Sequence, residues 1–91
     1  MATYMVHIAT TDATHDYAPL WGALDRLQAC RAFIDVWFVD TYQPVDMMMS
    51  GFRRLLTEGD RLFLLQISER ALLGSLGMMP EAQRWLEARR P

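Results

Sequence analysis

The hydrophobic positions of this chain switch between a period of two and a period of about 3.6, as in proteins that alternate strands and helices. Residues 3–10 alternate, which predicts a strand. The side of this strand that suits a core carries Tyr4, Val6 and Ile8. Its other side carries Met5 and His7, so it is less polar than a solvated strand face usually is.

Two segments have helical spacing. Residues 17–28 and residues 44–58 each carry an apolar stripe, which predicts two amphipathic helices packed on a sheet. Asp16 is suited to cap the first helix, and Pro44 fits the first position of the second. Gly59 is a typical residue for the end of a helix.

The apolar runs between and after these helices predict the remaining strands. Residues 30–41 predict a β-hairpin with a tight turn at Ile34 and Asp35. Both sides of its second strand are apolar, so we expect that strand to be covered on both faces. Residues 61–68 form a nearly continuous apolar run and predict a last strand that is also buried on both faces.

The order strand, helix, strand, strand, helix, strand predicts an α+β, ferredoxin-like βαββαβ fold. Its four-stranded antiparallel sheet would carry both helices on one face. Residues 1–91 are expected to form a single domain, with a C-terminal extension over residues 68–91. Within that extension, residues 80–89 predict a short helix that packs through Trp85 and Leu86.

Two helices can cover only one face of such a sheet, which predicts a homodimer built on the other face. Its expected interface consists of Met5, His7, Arg31, Phe33 and Trp37. Trp37 is assigned to this face because Arg31 and Phe33 would then flank the same open surface. On this interpretation, Trp37→Asp gives a folded monomer.

The composition favours a protein with excess apolar surface. Hydrophobic residues make up 52% of only 91 residues, which is more than so small a core readily holds. The formal net charge of −2 argues against a dedicated nucleic-acid binder, since affinity for phosphates comes largely from Lys and Arg. No long apolar segment or signal-peptide pattern is present, which predicts a cytoplasmic protein without a membrane interaction.

Several residues are candidates for chemistry, each with a simpler structural interpretation. Asp12, His15 and Asp16 could bind a divalent ion, but a polar loop that ends in a helix cap is the favoured interpretation. Cys30 lies in an apolar strand, which indicates a small buried hydrophobe. No residue is therefore assigned a catalytic or metal-binding role, and no cofactor is predicted.

The second helix carries an unusual run of three methionines followed by two arginines. Core filling is the favoured role of Met48 and Met49, whereas Met47 should point outward. Possible contacts to nucleic acid are Arg26, Arg53 and Arg54, although interleaved acidic residues favour an ordinary solvated face.

Nearly the whole chain resembles a known family. The segments that carry the resemblance are MATY, DYAPLWGAL, VWFVDT, GDRLFLLQIS and RWLE. They are similar to small bacterial proteins called SinR-like, which belong by fold with the small CRISPR-associated nuclease that acts beside the spacer integrase. The resemblance implies a ferredoxin-like homodimer in which a tail segment adds to the neighbour's sheet. It also implies a metal-dependent nuclease whose aspartate ends the first strand, but Ala9 occupies that position here.

The function predicted from the sequence is that of a non-catalytic homodimer that acts by binding a protein partner. The alternative is a metal-dependent endonuclease or nucleic-acid-binding protein of the CRISPR-associated spacer-acquisition type. The nearest acid to the strand end is Asp12, in the following loop.

Overall fold

The computed structural model describes residues 1–68, 74 and 76–89. Within them the elements are strand β1 (Ala2–Ala9), helix α1 (Ala18–Arg26), strands β2 (Cys30–Phe33) and β3 (Val36–Thr41), helix α2 (Val45–Arg53), strand β4 (Arg61–Ile67) and helix α3 (Pro80–Arg89). The strands form one antiparallel sheet in the order β2-β3-β1-β4. The predicted α+β, ferredoxin-like architecture with a C-terminal helix is thereby confirmed.

The first face of the sheet is covered by α1 and α2, and strand register decides which residues it buries. Val6 lies opposite Trp37 on one side and Leu64 on the other, so all three point toward the helices. The resulting core consists of Tyr4, Val6, Ile8, Leu20, Leu24, Trp37, Val39, Met48 and Phe52. Every one of these side chains is less than a tenth exposed, which makes this the main core of the protein.

Helix α1 begins slightly later than its apolar stripe suggests. Asp16 does bind the start of the helix, because its Oδ1 accepts a hydrogen bond from the backbone N–H of Ala18 at 2.9 Å. The N-cap position itself belongs to Tyr17, which makes no capping bond with its side chain. Asp16 therefore lies one residue before the N-cap, although the sequence predicts it at the N-cap itself.

The same helix ends in a left-handed turn. Gln28 has a φ of 56°, a conformation that glycine usually supplies. Its N–H donates to the carbonyl of Asp25, and the N–H of Ala29 donates to the carbonyl of Leu24. These two bonds form a Schellman motif, so the helix stops at Arg26 although no glycine signals its end.

Helix α2 ends at Arg53, well before the predicted residue 58. Beyond the helix, the N–H of Thr57 makes no helical bond and donates to a carboxylate oxygen of Asp60 at 2.7 Å. Phe52 is buried as predicted, but Leu55 is only partly buried because it lies beyond the last helical turn. Gly59 lies in the following loop, where a Cβ would approach the Thr11 hydroxyl to 3.0 Å.

The predicted turn at Ile34 and Asp35 joins β2 to β3. An irregularity in the β2–β3 register between Arg31 and Phe33 changes the faces of the two residues. Arg31 points to the helix-covered face, whereas Phe33 packs on the opposite side of the sheet. The expectation that these two side chains share a face is wrong, because simple alternation does not hold across the irregularity.

Candidate interaction surface

The second face of the sheet is divided into two halves. Helix α3 covers the half formed by β2 and β3, where the buried cluster consists of Ala32, Phe38, Met78, Ala82 and Leu86. Trp85 lies against this cluster, with its ring stacked 6.1 Å from that of Phe38. The predicted packing role of Trp85 and Leu86 is confirmed, and their helix covers only part of the face.

The other half of this face is formed by β1 and β4 and lacks a covering helix among the described residues. Phe63 and Leu65 of β4 are 48% and 50% exposed. Register places Met5 opposite Leu65 and His7 opposite Phe63. We call these four residues the β1–β4 strip. Met5 and His7 are partly buried, so the most exposed apolar surface lies on β4.

β4 is also an edge strand. It pairs with β1 on one side, and no described strand pairs with its other side. The opposite edge of the sheet differs, because Met79 donates a backbone hydrogen bond to the carbonyl of Ala32 on β2 at 2.9 Å. Unpaired backbone groups and exposed apolar side chains therefore coincide at β4, a combination that favours pairing with another chain.

His7 lies on the predicted open face and interacts with a residue that the sequence did not suggest. Its Nε2 is 2.9 Å from a carboxylate oxygen of Asp35, in the β2–β3 turn. The two side chains are 37% and 45% exposed, and a pair this exposed contributes at most about 1 kcal/mol. The backbone carbonyl of Asp35 also accepts a bond from Ile8. The contact thus holds the turn against β1 at one end of the β1–β4 strip.

The prediction that Trp37 belongs to this open face is wrong. Trp37 is 5% exposed in the main core, because it lies opposite Val6 rather than opposite Met5. Arg31 accompanies it, with its guanidinium carbon 4.9 Å from the centre of the Trp37 ring. The ring of Trp21 stacks on Trp37 at 5.6 Å, so the three side chains form a continuous layer.

Phe33 reaches the second face at a different place from the β1–β4 strip. It packs, partly buried, against the cluster beneath α3. Of the five residues predicted for the interface, His7 lies on the uncovered half, and Met5 lies at its border, where it also packs against the cluster beneath α3. Phe63 and Leu65 were missed because a continuous apolar run predicted burial on both faces of β4.

The loop after β1 holds the candidate metal ligands, and each is engaged locally. The Asp12 carboxylate accepts bonds from the Thr14 hydroxyl at 2.6 Å and the Thr14 N–H at 2.9 Å, and these lower the pKa of Asp12. His15 Nε2 is 3.2 Å from the carbonyl of Leu55. With Asp16 bonded to the start of α1, the three residues have separate structural roles. Within the described part of the chain, no three His, Cys, Asp or Glu side chains are grouped to hold a metal ion.

Asp60 is the most connected polar residue of this end of the sheet, and it was not predicted. Its carboxylate accepts bonds from the Tyr17 hydroxyl at 2.8 Å and the Thr11 N–H at 2.7 Å, besides that of Thr57. Desolvation alone would raise the pKa of Asp60, but the bonds from Thr57, Thr11 and Tyr17 outweigh it and hold the pKa well below its usual value. Asp60 thereby ties β1, α1 and the start of β4 together.

The three candidate arginines do not form one patch. Arg26 and Arg54 line a common cavity between α1 and α2. Arg53 lines a different one with Glu58 and Asp60, so it faces acidic neighbours. The outward position predicted for Met47 is confirmed at 59% exposure.

The remaining predicted core residues differ in burial. Met48 is 2% exposed, as predicted, whereas Met49 is partly buried. Cys30, which the sequence indicates as a small buried hydrophobe, is only partly buried beside the cluster under α3.

No family model and no solved structure matches this chain. The resemblance to SinR-like proteins stays a prediction. No helix in the described residues is long and apolar enough to cross a membrane.

Proposed function

We propose that this protein is a non-catalytic homodimer that acts by binding a protein partner. The observation that carries the proposal is the coincidence of half-exposed Phe63 and Leu65 with the open edge of β4. The dimer would form there, through the β1–β4 strip and the β4 backbone. This location differs from the interface predicted from sequence, because Trp37, Arg31 and Phe33 lie elsewhere.

Apolar burial supports association at this place. Fully burying a Phe or Leu side chain contributes roughly 1.5–3 kcal/mol, so each half-exposed residue has about 1 kcal/mol left to gain. Met5, beside Leu65, adds a flexible apolar side chain to the same surface. The backbone groups of β4 gain hydrogen bonds in the same step.

A two-fold axis makes the β4 edge self-complementary. Two copies of β4 can pair antiparallel about an axis that passes near Leu64, the central residue of the strand. In that register Phe63 lies opposite the partner subunit's Leu65, and Leu65 lies opposite the partner subunit's Phe63. All four side chains then share one face of a continuous sheet, where cross-strand apolar pairs stabilise the ladder.

Light scattering on the purified protein at roughly 100 µM tests this dimer, a concentration that detects even a weak complex. We expect a dimer mass for the wild type and a monomer mass for the double variant Phe63→Asp/Leu65→Asp, because it places two charges in the interface. Ile34→Asp is the matched control, since Ile34 is 78% exposed at the β2–β3 turn, outside the β4 edge and on the far side of β1 in the strand order. A monomeric wild type contradicts the proposed dimer.

The alternative function is a metal-dependent nuclease, as the family resemblance implies. Ala9 at the end of β1 offers no metal ligand in its side chain, and Asp12 is bonded to Thr14. Labelled RNA and DNA, incubated with and without magnesium or manganese, separate the two functions. We expect no metal-dependent cleavage. We also expect magnesium to leave the melting temperature of the wild type unchanged, and Asp12→Asn to have the same melting temperature with and without magnesium. Cleavage that survives stringent purification overturns the non-catalytic proposal.

A further inference from the structure

We propose that the groove between α1 and α2 docks an acidic amphipathic helix of a protein partner. This inference rests on the proposed function, in which the protein binds such a partner, and it names the site and the partner's chemistry. The groove has a volume of about 500 Å³, and the residues at its sides are Ala23, Arg26, Leu27, Met47, Gly51 and Arg54.

The floor of the groove is apolar and firmly held. Met48 and Phe52 form part of it, and each is only 2% exposed because its other side belongs to the main core. Met47 rises from α2 beside them and is 59% exposed. An unbranched thioether side chain adapts its shape to different apolar surfaces, so Met47 suits a docking surface better than a solvated face.

The charge of the groove is opposite in sign to that of the whole chain. Arg26 and Arg54 line it, and no Asp or Glu among the described residues does, whereas the chain has a formal net charge of −2. The structure gives neither guanidinium a hydrogen bond or ion pair with another described residue. Each group presents several N–H donors that match carboxylates well. The groove therefore complements an anionic ligand.

The two arginines lie toward opposite ends of the groove. α1 follows β1 and α2 follows the antiparallel β3, so the two helices run in opposite directions. Arg26, in the last turn of α1, thus lies toward the start of α2, whereas Arg54 lies just past its end. A helix that lies along the groove with a carboxylate near each of its ends fits this arrangement.

Gly51 opens the groove in the middle. A Cβ added there would meet nothing within 4 Å, so the glycine is not required by packing inside the chain. Glycine also disfavours the helix that contains it. Its small size does permit the close approach of a second helix, since helices pack with their axes only about 8–10 Å apart.

The shape of the groove selects a helix over a small molecule. Sites for small molecules bury about 70–90% of the ligand surface, whereas this groove is open to solvent between the last turn of α1 and most of the length of α2. An amphipathic helix in such a trough inserts apolar residues spaced i, i+4 and i+7 and leaves its charged flanks at the rim. Glutamates on those flanks would reach Arg26 and Arg54.

The test uses two stapled helical peptides of about 16 residues, each with Leu at i, i+4 and i+7. One carries glutamates on its flanks and the other carries lysines at the same positions. Each is titrated into isotope-labelled protein and followed by NMR. We expect the acidic peptide to shift resonances of α1 and α2 with a Kd of about 1–100 µM, at least about tenfold tighter than the basic peptide.

Variants locate the binding. Gly51→Leu fills the groove and should weaken binding at least about tenfold, whereas Gly51→Ala should change it less than about threefold. Arg26→Glu/Arg54→Glu should reverse the preference so that the basic peptide binds tighter, a result that misfolding does not produce. Arg84→Glu, on the exposed side of α3, is the charge control and should leave binding unchanged.

Three peptide results overturn the docking site: no binding up to about 1 mM, equal binding of both peptides, or shifts confined to the β1–β4 strip. A fourth is a light-scattering mass for Gly51→Leu that falls from that of a dimer toward that of a monomer. The last would assign the groove to a second copy of this chain. Peptide binding that persists in Phe63→Asp/Leu65→Asp supports the site independently of the dimer. Failure of the groove and failure of the proposed dimer are thus separate results.

Discussion

The two halves of the second sheet face are built from similar side chains but end in different surroundings. Phe38, on the β2–β3 half, is 3% exposed beneath α3, whereas Phe63, on the β1–β4 half, is 48% exposed. The edges differ in the same sense, because Met79 bonds to β2 while the described residues leave β4 without a second strand. The described residues thus cover one half and leave the other half open.

The comparison teaches that an apolar strand need not be a buried strand. Leu62 and Leu64 of β4 pack against the main core, whereas the described residues leave Phe63 and Leu65 on its other face about half exposed. Phe63 and Leu65 would be an unfavourable surface in an isolated monomer. In the proposed dimer, Phe63 and Leu65 are buried against the partner subunit.

The largest expected effect separates the two phenylalanines. Phe38→Ala should lower the free energy of unfolding by about 3–5 kcal/mol, because it leaves a cavity beneath α3. Phe63→Ala should cost less than about 1 kcal/mol in dilute protein, where the side chain remains half in water. Denaturant unfolding at low micromolar concentration measures both. Equal losses would mean that the two halves are covered alike.

Removing part of the cover should have the next largest effect. Leu86→Ala should cost about 2–4 kcal/mol, since Leu86 is 3% exposed between α3 and the sheet. Glu87→Ala is the control, because the neighbouring side chain is exposed. Protease cleavage near α3 should also become faster in Leu86→Ala. A stable Leu86→Ala with an unchanged cleavage rate would show that α3 does not hold the β2–β3 half.

Asp60 links the loop after β1 and the start of α1 to the segment before β4, and its loss should cost about 2 kcal/mol, as for other hydrogen bonds to charged groups. The pKa of Asp60 is lowered in the folded state, so its stabilisation is fully present above the unfolded value of 3.8 and declines as the pH falls below it. Asp60→Asn should therefore flatten the loss of stability in acid. Unfolding curves between about pH 2 and 5 measure this. A wild-type acid profile retained in Asp60→Asn would contradict the role of this carboxylate.

The smallest expected effect is a gain. Gln28 ends α1 with a φ of 56°, so Gln28→Gly should stabilise the protein by up to about 1 kcal/mol through relief of left-handed strain. Because the site is remote from the second face, the dimer mass should not change. A destabilised Gln28→Gly would show that contacts of the Gln28 side chain stabilise the protein by more than glycine gains through relief of backbone strain.

Sequence periodicity was sufficient for the order of elements, the hairpin turn at residues 34–35 and the residues of the main core other than Trp37. It was insufficient where a local irregularity of the backbone interrupts the regular alternation or the helical spacing of side chains. The irregularity after Arg31 separates that residue from Phe33, and nothing in the strand composition reveals it. The early end of α2 likewise follows a local change of hydrogen bonding, in which the N–H groups of Leu55 and Leu56 donate to Phe52 and Arg53 three residues back.

The candidate surface was predicted only in part, for a related reason. Met5 and His7 follow from the alternation of β1, but the faces of β3 depend on its register with β1, which the sequence leaves open. That register puts Trp37 into the main core. The groove between α1 and α2 was not predicted, because the separation of two helices depends on the packing beneath them.

Amide hydrogen exchange along β4 tests the proposed dimer most directly, because it reports on the backbone groups of the open edge. Exchange is measured at about 1 µM and about 100 µM protein, for the wild type and for Phe63→Asp/Leu65→Asp. We predict that the outward amides of Arg61–Ile67 exchange more slowly in the concentrated wild type and that the variant shows no such change. Exchange at β4 that is fast and equal at both concentrations in the wild type would contradict pairing through this edge.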